Sequence, residues 1–391
     1  MISVRVALGF VALAVADDAF VHPEQGTAAE DHVVSGILPL AIAGVLALVY
    51  PRLRAGARGA IAIVAGLLAA TAGVADGYRH VVVDRMAGDD LTAMLAALAG
   101  AVLIGLGVHT LWSTRRLDER PLRRYLRRTG VALLAGVATI FALVPTTIAI
   151  VATHRAREPV PAADLGRPYE HVSFTTADDL RLQGWYVPSV NGAAIVLSPG
   201  RRGPIPHARL LARHGYGLLL FDRRGEGESD GDFNAYGWGG DADLKAAIGF
   251  LSRRPDVDPQ RIGGLGLSVG GEMLLETAAE DTRLRAVVSE GGSVRSIAEH
   301  WDDPALSDLR TPVTPLLAQT AAVAILAGEA PPPSLVDLVD DISPRSVLFI
   351  RGLDGQPAEQ LNRAFYDRAG EHKELWEVPG AGHTAAITAR P

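Results

Sequence analysis

The sequence predicts a chain of two halves, an N-terminal bundle of membrane-spanning helices and a C-terminal α/β domain with a mostly parallel sheet. Residues 1–153 contain long apolar runs and no lysine, with 13 arginines against 11 acidic residues, whereas residues 154–391 hold 24 basic and 33 acidic residues. In the second half, short apolar runs alternate with helix-like stretches, which is typical of a parallel sheet covered on both faces. We place a linker at residues 154–168 and the α/β domain at residues 169–391.

Four apolar stretches of the first half are long enough to cross the hydrocarbon core of a membrane as helices. They cover residues 33–50, 59–75, 91–112 and 130–153. A fifth stretch, residues 2–16, is shorter and also resembles a cleavable signal peptide, because Arg5 precedes an apolar centre and small residues precede Asp17. A retained helix is favoured, giving about five helices, and both interpretations place residue 17 outside the cytoplasm.

The distribution of arginine predicts the orientation of these helices. The loop at residues 51–58 carries three arginines, and the loop at residues 113–129 carries seven against Asp118 and Glu119. Because loops rich in arginine stay in the cytoplasm, we predict a cytoplasmic N-terminus and an extracytoplasmic second half. The predicted spans have almost no ionisable residue at mid-depth, which argues against ion transport.

The second half begins with a predicted β-hairpin, formed by residues 169–175 and 180–187. Further predicted strands cover residues 193–197, 216–221, 261–267, 285–289, 346–351 and 374–378. Helix-like stretches between them cover residues 208–214, 241–252, 270–280 and 359–369. In a sheet of this kind the functional loops lie at the carboxyl ends of the strands.

Three chemistry-bearing residues follow predicted strands. Ser268 lies in the segment Gly-Leu-Ser-Val-Gly at residues 266–270, where small neighbours allow the sharp strand-to-helix turn that exposes a nucleophilic serine. Asp354 and His383 follow the last two predicted strands. A serine hydroxyl needs an imidazole to accept its proton, and the imidazole needs a carboxylate to orient it. We therefore predict Ser268, Asp354 and His383 as catalytic residues, with Glu290 as the alternative acid.

Acyl transfer also requires preorganised N–H donors for the oxyanion that develops on the substrate. The backbone N–H of Val269, at the start of a predicted helix, is one candidate. The second is assigned to Arg201, which directly follows Ser-Pro-Gly at residues 198–200.

From about Tyr169 to the C-terminus, the chain resembles the α/β-hydrolase superfamily, in particular its dienelactone-hydrolase-like and serine-aminopeptidase-like groups. The resemblance rests on four segments in the same order: residues 197–200, residues 221–229, the turn at Ser268, and Gly382-His383. It implies an α/β-hydrolase fold and hydrolysis through an acyl-enzyme without a cofactor. Dienelactone hydrolases use a cysteine nucleophile, and because this chain has no cysteine dienelactone is not the expected substrate.

Residues 291–344 form a predicted insertion with an apolar helix-like run at residues 315–327. We expect a small lid over the substrate pocket, since an apolar helix there suits an acyl group or lipid; the alternative is an ordinary helix at the edge of the sheet. The expected partners are a small-molecule or lipid-like acyl substrate and the lipid bilayer. The acidic balance argues against nucleic acid as a partner, and no metal ligand set is predicted.

The leading hypothesis is a membrane-anchored serine hydrolase that cleaves an ester or related acyl bond outside the cytoplasm. A serine peptidase of the same fold and a non-catalytic membrane sensor or scaffold are the alternatives. The joint presence of Ser268, Asp354 and His383 argues against the scaffold, because loss of catalysis is expected to remove at least one of them.

Overall fold

The computed structural model describes residues 2–23, 26–82, 88–114, 121–154, 157, 160–295, 297–302 and 313–390. Parts of three loops between the predicted helices, namely residues 24–25, 83–87 and 115–120, and parts of the linker and of the insertion lie outside the described residues. The chain divides into two compact units, the first formed by Met1–Ala156 with Thr314–Glu329 and the second by Arg157–Val313 with Ala330–Pro391. The apolar helix of the predicted insertion therefore belongs to the first unit.

The first unit is helical. Its N-terminal part contains α1 (Ile2–Ala16), α2 (Val33–Val49), α3 (Ala55–Val82), α4 (Gly88–Ser113), α5 (Pro121–Ala138) and α6 (Val144–Thr153). Four stretches are long and apolar enough to cross a membrane, namely Val33–Arg52, Ala55–Val74, Leu91–Ser113 and Tyr125–Thr153. These four correspond to the predicted spans and fit a membrane bundle, whereas α1 forms a helix of only 15 residues.

Glycines lie where α3 and α4 meet. A Cβ atom at Gly66 would lie 2.6 Å from the carbonyl oxygen of Gly100, and a Cβ atom at Gly100 would lie 2.6 Å from the backbone nitrogen of Ala70. Glycine at such positions allows two helix backbones to approach each other closely, as is common in membrane helix pairs. The contact between α3 and α4 thus depends on the absence of side chains.

The second unit is built on an eight-stranded sheet. Its strands are β1 (Glu170–Thr175), β2 (Arg181–Val187), β3 (Ala194–Ser198), β4 (Gly217–Phe221), β5 (Ile262–Leu267), β6 (Leu284–Glu290), β7 (Ser346–Gly352) and β8 (Lys373–Val378). Their spatial order is β1-β2-β4-β3-β5-β6-β7-β8. The β1–β2 and β2–β4 pairs are antiparallel and the others are parallel, so the predicted hairpin and the mostly parallel sheet are confirmed.

The remaining helices follow or separate these strands. They are α7 (Ile205–Arg213), α8 (Gly240–Ser252), α9 (Val269–Glu280), α10 (Ile297–Asp302), α11 (Val313–Ala327), α12 (Leu335–Leu338), α13 (Leu361–Arg368) and α14 (Ala386–Ala389). Successive side chains of strand β4 point to opposite faces of the sheet, and both faces are buried. Leu218 and Leu220 join the apolar core that includes α7, whereas Leu219 and Phe221 join the core that includes α8 and α9. This is why β4 reads as a continuous apolar run in the sequence.

The predicted insertion contains α10, α11 and α12 among its described residues. Leu335 and Val336 of α12 lie in the larger core of the second unit, whereas α11 belongs to the first unit. A lid over the substrate pocket stays a prediction.

Candidate active site

Ser268 lies in a sharp turn between β5 and α9. Its backbone has φ 52° and ψ −126°, a conformation that residues with side chains rarely adopt and that typically costs about 1–3 kcal/mol. Glycine is required on both sides, since a Cβ atom at Gly266 would lie 2.3 Å from the carbonyl oxygen of Gly270, and one at Gly270 would lie 2.4 Å from the nitrogen of Pro199. The turn holds the serine hydroxyl at the carboxyl end of an interior strand.

His383 lies in the loop after β8 and meets this hydroxyl. Its Nε2 atom is 3.0 Å from Ser268 Oγ, although the two residues are 115 positions apart. Its Nδ1 atom is 2.7 Å from Glu359 Oε1. Because a carboxylate accepts hydrogen bonds and cannot donate them, we assign the ring proton to Nδ1. The unprotonated Nε2 is then placed to accept the proton of the serine hydroxyl.

The structure does not place the predicted acid, Asp354, against the imidazole. Asp354 is exposed and lies in the turn after β7, where its backbone N–H donates to the carbonyl oxygen of Ala381 at 3.0 Å. The imidazole instead meets Glu359, because the chain turns back through the short 3₁₀ helix Pro357–Gln360 and directs this side chain inward. The structure thus brings together Ser268 and His383 of the predicted set and supplies a different carboxyl.

Glu359 is held firmly in place. Its side chain is 1% exposed, its Oε1 atom accepts from the N–H of Gln356 at 2.9 Å, and its Oε2 atom accepts from the N–H of Gly352 at 3.3 Å. The sequence contains a signal for this arrangement, since proline and glutamate at the first and third positions after Gln356 are typical of a helix N-terminus. The sequence analysis does not predict this position for Glu359, because it places residue 359 at the start of a helix over residues 359–369.

The structure does not place the alternative acid, Glu290, against the imidazole either. Its buried carboxyl has two other partners, with Oε2 3.2 Å from His207 Nε2 and Oε1 accepting from the N–H of Ala386 at 2.8 Å. Its carbonyl oxygen accepts from the N–H of Ser268 at 2.7 Å. Glu290 therefore connects the serine turn, α7 and the chain just after His383, and it holds these elements in register with one another.

The two predicted oxyanion donors differ in whether their backbone N–H already has a partner. Val269 is the first residue of α9, so its N–H is one of the four that no carbonyl inside the helix accepts. The N–H of Arg201 already donates to Asp222 Oδ1 at 3.1 Å, and its Nε donates to Asp222 Oδ2 at 2.8 Å. Both groups of Arg201 are therefore paired with Asp222, which directly follows β4, and the structure gives no support to Arg201 as an oxyanion donor.

Two further carboxyls near the site are buried. Burial raises the pKa of the Asp222 carboxyl, although the adjacent Arg201 guanidinium acts in the opposite direction. Burial likewise raises the pKa of Glu272 in the first turn of α9, against the opposing effects of Arg295, of hydrogen bonds from Ser293 and of the nearby imidazole. Glu272 accepts from the N–H and the hydroxyl of Ser293 at 2.6 and 3.0 Å.

A metal has no obvious place in the described part of the chain, where no group of three or more histidine, aspartate and glutamate side chains is arranged to hold an ion. A serine hydroxyl against an imidazole, which in turn meets a buried carboxyl, is an arrangement that can transfer a proton and form a covalent bond without a metal or cofactor.

The mostly parallel sheet, its flanking helices and the position of Ser268 after β5 are those of the α/β-hydrolase superfamily. A comparison with family models narrows this class. Residues 146–367 match the model described as X-Pro dipeptidyl-peptidase (S15 family). The match covers more than half of the chain, and the chain belongs to this family, which makes it a hydrolase of esterase or peptidase type.

Individual relatives are similar over the same region. The YfhR protein of Escherichia coli K12 is 29% identical over 236 residues, which are 56% of this chain and 75% of that protein. The Rv2307c protein of Mycobacterium tuberculosis H37Rv is 33% identical over 237 residues, which are 58% of this chain and 76% of that protein. Among solved structures, the α/β hydrolase GrgF from Penicillium sp. sh18 is 24% identical with a TM-score of 0.46 and covers 57% of this chain and 93% of its own.

Proposed function

We propose that the chain is a membrane-anchored serine hydrolase that cleaves an ester or related acyl bond through an acyl-enzyme on Ser268. The observation that carries this proposal is the continuous contact from Ser268 Oγ to His383 Nε2 at 3.0 Å and from His383 Nδ1 to Glu359 Oε1 at 2.7 Å. These distances lie within the range expected of a nucleophile, its base and the group that orients the base.

The reaction has two steps. In the first, Ser268 Oγ bonds to the substrate carbonyl carbon while its proton passes to His383 Nε2; the imidazolium, stabilised by Glu359, then protonates the leaving alcohol as the ester bond breaks. In the second, His383 takes a proton from water as the water oxygen bonds to the acyl carbon; the bond to Ser268 Oγ then breaks, and the imidazolium returns the proton to Oγ, which releases the acid and the free serine. We assign the N–H of Val269, at the start of α9, as a donor to the oxyanion in both steps.

A fluorophosphonate probe tests the activated serine directly. We expect it to label the wild-type protein and the Ser173→Ala variant, which removes an exposed serine of β1, and to leave Ser268→Ala unlabelled. If folded wild-type protein is not labelled, the non-catalytic sensor or scaffold becomes the better explanation.

The family model favours a peptidase as the second candidate function. An X-Pro dipeptidyl-peptidase needs a group that binds the free amine of its substrate. Near the serine, the buried carboxyls of Glu272, Glu290 and Glu359 are each hydrogen-bonded to protein groups, so we favour the ester. Parallel assays with p-nitrophenyl esters and Xaa-Pro p-nitroanilides distinguish the two, and faster cleavage of the anilides would reverse this preference.

We also propose that the N-terminus is cytoplasmic and that the hydrolase lies outside the cytoplasm. The arginine-rich loops support this orientation. Two observations support placing the hydrolase on the same side of the membrane as Asp31. Four crossings from Val33 to Thr153 return the chain to that side, and within the first unit a Cβ atom at Gly328 would lie 3.6 Å from the carbonyl oxygen of Asp31. Alkaline phosphatase fused after Pro391 should be active, because this reporter enzyme works only outside the cytoplasm. A full-length fusion protein that is produced but inactive would refute the orientation.

A further inference from the structure

Helix α11 has an unusual position in the chain. It comes from the insertion between β6 and β7 of the hydrolase, yet it belongs to the compact unit that contains the four candidate spans. Its 15 residues, Val313–Ala327, include no charged side chain. A stretch this apolar in the middle of a hydrolase domain needs an apolar environment.

The length and connections of α11 exclude a membrane crossing. With a rise of 1.5 Å per residue, 15 residues extend over roughly 22 Å, which is less than the hydrocarbon core of about 30 Å. The chain also enters α11 from the second unit and returns to it at Ala330. Because none of the four candidate spans belongs to the second unit, α11 must enter and leave on the same side of the membrane, as interfacial and re-entrant helices do.

The C-terminal end of α11 lies close to the N-terminal end of α2. Gly328 follows α11 with φ +68°, a conformation that favours glycine and ends a helix. A Cβ atom there would lie 3.6 Å from the carbonyl oxygen of Asp31, two residues before the candidate span Val33–Arg52. This contact places the end of α11 beside the membrane-entry end of α2.

The side chains of α11 differ in exposure in a way that suits this position. Thr320 and Val323, three residues apart on one face, are buried. Leu317 is 50% exposed. An exposed leucine on a helix that shares its unit with four apolar spans is best covered by lipid acyl chains.

We propose that α11 is a non-spanning helix embedded in the membrane leaflet on the hydrolase side, with lipid acyl chains against Leu317. If the proposed hydrolase function holds, on which this second step rests, the substrate class is an acyl ester resident in that leaflet. The insertion that carries α11 begins in the sequence at Gly291, where a Cβ atom would lie 3.2 Å from the Nδ1 atom of His383.

The absence of cysteine from the chain allows a direct test. Leu317→Cys in the full-length protein is labelled with the fluorophore NBD and reconstituted into phosphatidylcholine vesicles with or without doxyl-labelled lipid. Val45→Cys, exposed on a candidate span, and Val190→Cys, 72% exposed in the second unit, are the matched controls. We expect quenching at position 317 of at least about half that at position 45, with little at position 190. Quenching at position 317 no greater than at position 190 would overturn the proposal.

The substrate class is tested separately by a ratio of rates. Hydrolysis of a fluorogenic diacyl lipid ester in vesicles is compared with that of p-nitrophenyl acetate in the same preparation. We expect Leu317→Gln to lower the ratio on the order of five-fold, because a polar side chain weakens contact with the leaflet, and the surface variant Val190→Gln to leave it unchanged. An unchanged ratio for Leu317→Gln, with Ser268 still labelled by the probe, would refute the leaflet substrate. Quenching at position 317 without any labelling of Ser268 would refute the hydrolase function and leave the placement of α11 intact.

Discussion

The two units of the molecule are stabilised in different ways. In the first unit, α3 and α4 meet through backbone atoms at glycines such as Gly66 and Gly100, while large apolar side chains such as Leu98 face outward. In the second unit, buried charged groups depend on specific hydrogen-bond partners, as where Asp243, fully buried, accepts from Arg224 Nη2 at 2.8 Å. We conclude that the first unit is sensitive to added volume at a few positions and the second to the loss of individual polar atoms.

The largest effect is expected at two carboxyls of the second unit that are five positions apart. Glu359→Gln removes the charge that stabilises the imidazolium and, because an amide has only one oxygen, also one of the two oxygens that accept from the N–H groups of Gln356 and Gly352. We expect kcat for ester hydrolysis to fall about 10³–10⁴-fold. Asp354→Asn, at an exposed position, should change kcat by less than about two-fold. Steady-state assays of both purified variants measure the difference, and an equal loss in the two would contradict the assignment of Glu359.

A glycine pair on α4 tests the sensitivity of the first unit. Gly100→Val adds side-chain atoms where the backbone of α3 is 2.6 Å from the Cβ position, whereas Gly105→Val adds them where nothing lies within 4 Å. Overpacking costs about 1–3 kcal/mol, so thermal unfolding of the detergent-solubilised Gly100 variant should begin at a lower temperature than that of the Gly105 variant. Equal unfolding temperatures would show that the contact between α3 and α4 does not depend on glycine.

The same contrast explains what the sequence can predict. Long apolar runs and continuous apolar strands depend on segment-averaged hydropathy, so the four candidate spans and the parallel strands are found correctly. The contact between Ser268 and His383 is also as predicted, because the small residues around the serine and the strand before each residue are local signals. The carboxyl that meets the imidazole is not predicted, since its position depends on a 3₁₀ turn in which the side chain of Glu359 accepts from the N–H groups of Gly352 and Gln356.

Long-range contacts account for the other differences between the sequence-based predictions and the structure. The N–H of Arg201 is taken by Asp222, 21 positions later, and Glu290 meets Ala386, 96 positions away. The membership of α11 in the first unit likewise requires contacts between segments far apart in the chain. Hydropathy and spacing carry no information on such pairings, whereas they describe each segment well.

Glu290 should show a smaller effect than Glu359 because it holds neighbouring segments and does not touch the imidazole. Both His207 and the N–H of Ala386 donate to its carboxylate, and an amide has only one oxygen to accept from them. Glu290→Gln therefore leaves one buried donor unpaired, at a cost of about 1–3 kcal/mol, and kcat should fall on the order of ten-fold.

The pH profile separates this positioning role from a direct one. Glu359→Gln should shift the pH dependence of kcat/KM, since it removes the carboxyl that stabilises the imidazolium. Glu290→Gln should lower the whole profile without moving it. A shifted profile for the Glu290 variant would mean that its carboxyl acts on His383 after all.

The smallest expected effect is on the pH dependence of stability. Buried carboxyls make the stability of the second unit depend on pH, whereas the glycine contacts of the first unit do not titrate. Burial raises the pKa of Glu272 above the ordinary value of 4.5, so above that value the folded state holds a proton that the unfolded chain releases. The wild-type protein therefore loses stability as the pH rises through this window. Glu272→Gln has no proton to lose and can still accept from Ser293.

The melting temperature of Glu272→Gln relative to wild type should thus increase as the pH rises above the ordinary pKa of 4.5, by about 2–4 °C for each 1 kcal/mol of relative stability. Circular dichroism melts of the detergent-solubilised proteins measure this change. Glu280→Gln, at a more exposed position of the same helix, is the matched control and should follow wild type. Parallel curves for wild type and Glu272→Gln would mean that the α9 carboxyl is neutral or ionised alike in the folded and unfolded chains, and the contrast between the two units would then rest on Glu359 and Glu290 alone.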